Sequence, residues 1–394
     1  VDMPEGTPME ETLAVLEELG GYLQTVETVK DYQLYAGINA PINFNGLIRQ
    51  YYLRQAPHMG DIQVNLVHKS QRKLQSHDVA VSLRKPLQAI GKQYQANVKI
   101  IEVPPGPPVM FPIVAEVYGA NYAQQIKTAK KLRNLMQDSH DIIDVDDSIE
   151  APQLKWQATI NRQKAALLAV PYASIIKALN TALTGEDVSF LHSNQQKIAV
   201  PIRLQLSLGQ QASLPNLLQV NIKNLYGNLI PLSELVSIER AQVDHARHHK
   251  NLKPVVYVLA DMAGELDSPL YGMFDISSQL NKDQPNSEPL FTEQFFVEQP
   301  SVSLQPEIKW DGEWQVTYET FRDMGIAYGV GMILIYLLVV AQFKSYLVPL
   351  IIMAPIPLTI IGVLPGHALL GAQFTATSMI GMIALAGIIV RNSI

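Results

Sequence analysis

Three apolar stretches near the C-terminal end are the strongest pattern in the sequence. They span residues 324–342, 347–370 and 374–391, and each has about the 20 residues that a helix needs to cross a hydrocarbon core of about 30 Å. Residues 324–394 contain no Asp or Glu and two formal charges, Lys344 and Arg391. The pattern predicts three transmembrane helices, and four prolines in the second stretch predict a kinked helix within a packed bundle.

Before residue 324 the apolar positions alternate between helix and strand spacing. Residues 7–10 (TPME) read as a capping box with Pro8 in the first helical position, and Gly20-Gly21 predicts the end of that helix. The same rules predict strands at residues 29–35, 61–67 and 98–103, and a helix at residues 79–94. The run of prolines and glycine at residues 104–108 predicts a subdomain boundary.

The strand-and-helix pattern restarts after this run. A second unit of the βαβ type is predicted from a strand at 112–118, a helix at 122–136 and a strand at 142–145. Residues 188–240 contain short strands with turn residues and no long helix. The remaining predicted segments are a strand at 253–260, a helix at 270–280, a polar loop at 281–300 and a lead into the membrane at 310–321.

Composition narrows the class of function. The chain has 394 residues, 47% of them hydrophobic, and a net charge of −6, which excludes a single soluble globule and a nucleic-acid binder that relies on a basic surface. It has no cysteine, and therefore neither disulfides nor thiol metal ligands. A phosphate-binding loop, a zinc HExxH motif and a G-x-S-x-G nucleophile motif are missing, so we expect neither an enzyme nor a cofactor.

Two groups of residues are candidates for function. Arg391 is a charge within an apolar helix, and it is either a buried functional charge or a side chain that reaches the membrane interface. Four aromatic residues lie in an irregular segment that is either a ligand-facing loop or a loop packed on its own domain: Tyr35, Phe44, Tyr51 and Tyr52. His245, His248 and His249 fit an exposed polar connector better than a metal site, and His367 fits a membrane-interface position.

Lys344 indicates how the chain is oriented in the membrane, and the chain ends indicate whether the sequence is part of a longer polypeptide. Lys344 lies in the short connection between the first two apolar stretches, which by the positive-inside rule places that connection in the cytoplasm and residues 1–323 on the opposite side. The sequence starts without Met and stops inside an apolar stretch. We therefore expect it to be a piece of a longer polypeptide.

Five segments, in the same order along the chain, resemble the C-terminal half of resistance–nodulation–division (RND) efflux transporters. They are residues 2–7 (DMPEGT), 161–166 (NRQKAA), 178–185 (ALNTALTG), 227–233 (GNLIPLS) and 387–394 (GIIVRNSI). The last of these resembles the tenth membrane helix of the drug-exporting branch. The segments extend over nearly the whole chain.

The resemblance implies a domain order. Residues 1–106 would form a first porter subdomain, and residues 107–185 with 241–310 a second one, each a split βαβ layer of α+β class. Residues 186–240 would form a mostly β docking subdomain, and residues 324–394 three transmembrane helices, the last truncated.

The resemblance also implies a function and partners. The chain would be part of a proton-driven inner-membrane permease that exports amphiphilic small molecules, with residues 1–323 in the periplasm. It would act as a homotrimer with a periplasmic adaptor and an outer-membrane channel. Arg391 and Asn392 stand where drug exporters carry a proton-relay lysine and its neighbour, whose partners are aspartates on a helix that this sequence does not contain. The aromatic segment would fall near the loop that lines the drug pocket.

Other readings remain open at this point. Within the family, a metal-ion exporter would offer Met3, Met59 and Met110 as soft ligands. Outside it, the polar region could be a binding domain, or the chain a protein-translocation subunit of the same superfamily. An acidic pair in an apolar helix upstream of Val1 would identify the transporter class.

Overall fold

The computed structural model describes residues 1–102, 109–192, 197–263, 268–282, 291–300, 304–372 and 374–393, except for the side chains of Asn45 and Tyr52. The chain divides into two compact units, residues 1–151 with 246–394 and residues 152–245. The strands are β1 Val29–Ala36, β2 Gly60–Leu66, β3 Ile113–Tyr118, β4 Ile142–Asp147, β5 Leu154–Ile160, β6 Glu186–Leu191, β7 Val200–Leu204, β8 Asn221–Lys223, β9 Leu229–Pro231, β10 Val236–Gln242, β11 His248–Lys250, β12 Lys253–Met262, β13 Gln294–Phe295 and β14 Glu307–Gly312. The helices are α1 Met9–Leu23, α2 Phe44–Ile48, α3 Ser76–Gln93, α4 Tyr122–Asp138, α5 Arg162–Leu167, α6 Tyr172–Leu183, α7 Leu208–Gln211, α8 Leu214–Leu218, α9 Pro269–Lys282, α10 Glu313–Phe343, α11 Leu347–Met353, α12 Pro355–Leu358, α13 Ile360–Leu370 and α14 Ala376–Ser393.

Residues 1–102 form an antiparallel hairpin, β1 with β2, covered by α1 and α3. Two expectations here are wrong. Helix α1 continues through Gly20-Gly21 to Leu23, because Gly20 gives the ring of Tyr32 room to pack: a Cβ there would lie 2.6 Å from Tyr32 Cε2. Its N-cap is Pro8, with no side-chain capping bond, and the Thr7 hydroxyl donates to the carbonyl of Pro4 at 2.7 Å.

The strand expected at residues 98–103 is also not observed in residues 98–102, and residue 103 lies outside the described residues. Asn97 forms a single antiparallel bridge with Asp2, which also bridges Met59. Val98 is buried in the core with Leu83 and Leu87 of α3. Packing against the helix, without pairing in a ladder, therefore accounts for the apolar positions in this segment.

A central sheet organises the rest of this unit. Within the described residues its order is β11-β12-β3-β14-β13, with β4 also paired to β12, and every pairing is antiparallel except that of β13 with β14. Helices α4 and α9 cover one face around the buried Trp310, Leu132 and Ile276. The predicted strands at 112–118, 142–145 and 253–260 and the helices at 122–136 and 270–280 are confirmed, with small shifts at their ends.

Residues 152–245 form the second unit. Strand β5 pairs with β10, β6 with β7 and β8 with β9, all antiparallel, and the core contains Ile175, Leu232 and Leu235. In the described part of residues 188–240, the expected short strands without a long helix are confirmed. Because β5 pairs with β10, residues 154–160 pack with 236–242 inside this unit. The assignment of residues to porter and docking subdomains stays a prediction.

Among the described residues, three helical segments are long and apolar enough to cross a membrane, namely Glu313–Phe343, Leu347–Leu370 and Ala376–Ser393. This confirms the three predicted spans and, with the mixed α/β part before them, the predicted fold class. The middle span is broken into α11, α12 and α13, as its prolines predicted. The first span starts directly after β14 at Gly312, whose φ of 81° is in the left-handed region, so the central sheet continues into the membrane helix without a linker.

Candidate functional site

The aromatic segment connects β1 to β2 and is held at both ends. The carboxylate of Asp61 on β2 accepts the backbone N–H of Ala40 at 3.0 Å and lies 3.6 Å from Nε of Arg54. The segment exposes several large apolar side chains: Ile38, Ile42, Phe44, Leu47 and Leu53. Large apolar side chains exposed this close together along the chain make the segment a candidate binding surface. We refer to residues 37–58 as the aromatic loop.

The structure does not gather the three predicted aromatic side chains that it describes into one pocket. Phe44 is 57% exposed on α2, and the half-buried Tyr35 donates its hydroxyl to Gln33 Oε1 at 2.8 Å. Tyr51 is half-buried with the Arg54 guanidinium 5.5 Å from its ring centroid, and burial raises the pKa of its hydroxyl. The side chain of Tyr52 lies outside the described residues. Of the three described side chains, that of Tyr51 lines a cavity of about 400 Å³.

This cavity lies between the β1–β2 hairpin and helices α1 and α3. Its apolar walls include Leu19, Leu83 and Val98, and its polar rim includes Tyr51 and Asn43. The volume is within the range of about 300–1,000 Å³ usual for small-molecule sites.

A group of charged side chains at the rim of the cavity was missed by sequence reasoning. Arg54 Nη2 lies 2.6 Å from Asp2 Oδ1, and Lys99 Nζ lies 2.9 Å from Asp2 Oδ2 and also pairs with Asp146. Burial opposes ionisation, but the carboxylates raise the pKa of Lys99, and Lys99 and Arg54 hold the pKa of Asp2 well below its usual range. These groups therefore stay charged at neutral pH, and they tie the aromatic loop and residue 99 to the start of the chain.

Arg391 and Asn392 occupy the last turn of α14, and both are exposed. Val390 and Ala386 are buried against α10, α11 and α12, so Arg391 does not lie on the face that contacts the other two spans. In the part of the chain that the structure describes, no carboxylate pairs with Arg391.

The histidines have structural contacts in the described residues. His367, at the end of α13, pairs with Val363 O and with Ser378 Oγ, each at 2.8 Å, and its ring lies edge-on to Phe374. It thereby connects the second span to the start of the third. The ring of His248 packs against Tyr257, and the described residues contain no group of three or more His, Asp or Glu side chains placed to bind a metal ion.

Comparison with known proteins identifies the family. The model of the AcrB/AcrD/AcrF family matches residues 1–394. The chain belongs to the AcrB/AcrD/AcrF family. This confirms the resemblance to RND permeases that the sequence segments carried.

The individual relatives of this AcrB/AcrD/AcrF family member are distant. The swarming motility protein SwrC of Bacillus subtilis is 22% identical over 71% of this chain and 24% of its own length, and the cobalt-zinc-cadmium resistance protein CzcA of Cupriavidus metallidurans is 20% identical over 72% and 25%. The multidrug resistance protein MdtC of Proteus mirabilis is 19% identical over 96% of this chain and 34% of its own. The crystal structure of a heavy metal efflux pump covers 99% of this chain and 38% of its own, with a TM-score of 0.72 at 15% identity, which shows a shared fold. The chain spans about a quarter to a third of the length of the curated relatives it matches.

Proposed function

We propose that this chain is part of a proton-driven inner-membrane permease that exports amphiphilic small molecules. The observation that carries the proposal is the family match over all 394 residues, on a chain whose central sheet continues directly into a membrane-spanning helix. The relatives include the multidrug resistance protein MdtC. The exposed apolar side chains of the aromatic loop suit amphiphilic compounds, because apolar contacts make few directional demands.

Arg391 and Asn392 are the proposed contribution of this chain to proton coupling. An arginine does not release its proton in proteins, so Arg391 acts as a fixed positive charge and not as a proton carrier. Its uncovered position on α14 leaves it accessible to a carboxylate supplied by another helix of the permease. Arg391 would stabilise the ionised form of such a carboxylate. Each protonation of the carboxylate during transport would have to overcome that stabilisation.

The same proposal includes the membrane orientation of the chain, its assembly and its partners. Residues 1–323 lie in the periplasm, and the connection containing Lys344 lies in the cytoplasm. The permease assembles as a homotrimer and works with a periplasmic adaptor and an outer-membrane channel. The aromatic loop, with Phe44 and Tyr51, lies on the path of the substrate.

A metal-ion exporter is the second candidate, favoured by the relative CzcA and by the heavy metal efflux pump of similar fold. In that case the metal ion is the cargo. Of the methionines that could bind a soft ion, Met3 is buried in the core beside Val15 and Leu19, and Met59 and Met110 are half-buried. Met3 therefore serves the packing of the first unit, which weighs against this candidate.

Growth assays with the full-length permease distinguish the two candidates. The gene and its Arg391→Ala variant are expressed in a host without its own efflux pumps, and growth is measured with a panel of dyes, detergents and antibiotics and with zinc, cobalt, nickel and cadmium salts. We expect protection against amphiphilic compounds that the variant lacks. Protection against the metal salts alone would establish the second candidate, and protection against neither panel would contradict export.

A further inference from the structure

Arg49 is a buried charge in an otherwise exposed part of the aromatic loop. It follows α2 directly, and its neighbours Leu47 and Leu53 are exposed, yet Arg49 itself is only 6% exposed. Arginine is almost never buried to this degree unless it is paired. Its burial therefore calls for a partner outside the loop.

The partners of Arg49 lie in the central sheet and in the residues that lead into it. Its guanidinium carbon lies 4.9 Å from the ring centroid of Phe111, which precedes β3, and its Nη2 lies 3.6 Å from Asp261 Oδ2 on β12. A cation over an aromatic face and an ion pair out of water are both attractive. Arg49 thus joins the middle of the aromatic loop to a different part of the unit from the one that holds its ends.

The remaining donors of Arg49 show that this attachment is restrictive. Within the described residues its Nε and Nη1 are buried without a hydrogen-bond partner. Burying such donors without hydrogen bonds costs free energy. The contacts with Phe111 and Asp261 offset this cost, so they determine where the guanidinium lies. The exposed ring of Phe44 and side chain of Leu47 lie within five residues of this fixed point.

We propose that Arg49 is a positioning residue that fastens the aromatic loop to Phe111 and Asp261 and so fixes how Phe44 and Leu47 meet the substrate. The proposal rests on the proposed export function. It does not require Arg49 to contact the substrate.

Hydrogen exchange in the full-length permease tests the attachment. Arg49→Met keeps a long apolar side chain against Phe111 and removes the charge, so we expect exchange of amides in residues 37–58 to rise about tenfold, which corresponds to about 1.4 kcal/mol. Asp261→Asn removes the charge of the partner and should raise exchange in the same segment. Arg49→Lys keeps the charge but loses the flat guanidinium, and its exchange should lie in between. Arg133→Met is the control, because it removes another arginine that pairs with a carboxylate of the sheet: Arg133 on α4 lies 2.9 Å from Asp147 on β4, outside the aromatic loop.

Export kinetics test the consequence. With Arg49→Met we expect the half-saturating concentration of an amphiphilic dye to rise about tenfold while the maximal rate is retained, whereas Arg133→Met leaves both unchanged. Unchanged exchange in the loop of Arg49→Met would overturn the attachment, whether or not the permease exports the dye. Faster exchange with unaltered dye kinetics would overturn the role in positioning. A wild-type permease that exports no dye would instead contradict the proposed function, and the exchange result would still stand.

Discussion

Removing Arg84 should destabilise the joint between residues 1–102 and the central sheet. Arg84 on α3 is almost fully buried, and its Nη1 lies 2.5 Å from Oδ2 of Asp144 on β4, whose side chain is 0% exposed. Gln88 donates to the other oxygen of Asp144 at 3.4 Å. Arg84→Met would therefore leave a carboxylate in the interior that keeps its hydrogen bonds with Gln88 and the backbone of Ile100 but has lost its counter-charge.

The size of the effect follows from the loss of that counter-charge. Breaking a buried ion pair by removing one partner costs about 3–5 kcal/mol. Burial already raises the pKa of Asp144 although Arg84 opposes it, and the substitution raises that pKa further. Because the folded state then binds its proton more tightly than the unfolded state does, the penalty is complete above the raised pKa and disappears as the pH falls towards the ordinary value of about 4.

Thermal unfolding of the permease in detergent at pH 5 and pH 8 measures this. We expect the melting temperature of Arg84→Met to fall at both values and more at pH 8. In Arg84→Met/Asp144→Asn neither member of this pair carries a charge, and most of the stability should return. Asparagine suits residue 144 because its φ is 52°, a left-handed conformation that asparagine tolerates. An equal loss at both pH values, or no recovery in the double variant, would refute the reasoning.

Three further outcomes follow from the structure. Gly312→Ala should lower the free energy of unfolding by about 2–3 kcal/mol, because φ is 81° and a Cβ would lie 2.6 Å from the carbonyl oxygen of Pro112. Gly21 has open space around it, so Gly21→Ala should be neutral or stabilising, and thermal unfolding compares the two variants. Phe44→Ala should change the range of exported compounds at constant expression, and unchanged resistance to every compound would favour a loop that serves packing only. Arg391→Ala should abolish export without loss of trimer assembly, whereas Arg391→Lys should keep part of the export activity. Resistance at the wild-type level in Arg391→Ala would show that the arginine side chain only extends to the membrane interface and has no role in transport.

The parts of the fold that sequence reasoning predicted are those that local pattern determines. A run without acidic residues from residue 324 onwards has few alternatives to membrane helices, and the strand at 113–118 and helix at 122–138 have clear spacing and turn residues around them. The end of α1 was wrong because Gly20 looks like a helix stop in sequence, and only the tertiary contact with Tyr32 shows that its lack of a side chain serves packing.

The candidate site was less accessible to sequence reasoning. Phe44 and Tyr51 lie in the aromatic loop and Tyr35 lies on β1 just before it, and the directions of the two loop side chains depend on how the loop is anchored. The anchors are Arg49 and Arg54, and their carboxylate partners include Asp261, on a strand far away in the sequence. A single sequence does not show which of many surface-like charges become buried. The burial of Arg49 and Lys99 is therefore information that only the structure supplies.

Proton-coupled flux in reconstituted vesicles tests the central claim most directly. The full-length permease and its Arg391→Ala variant are placed in proteoliposomes with an imposed pH gradient, and the movement of a fluorescent amphiphile and of protons is followed together. The account predicts that wild-type permease moves both, that a protonophore stops the amphiphile, and that Arg391→Ala moves neither. Amphiphile transport that persists without a gradient, or equal proton flux in the wild type and Arg391→Ala, would contradict it.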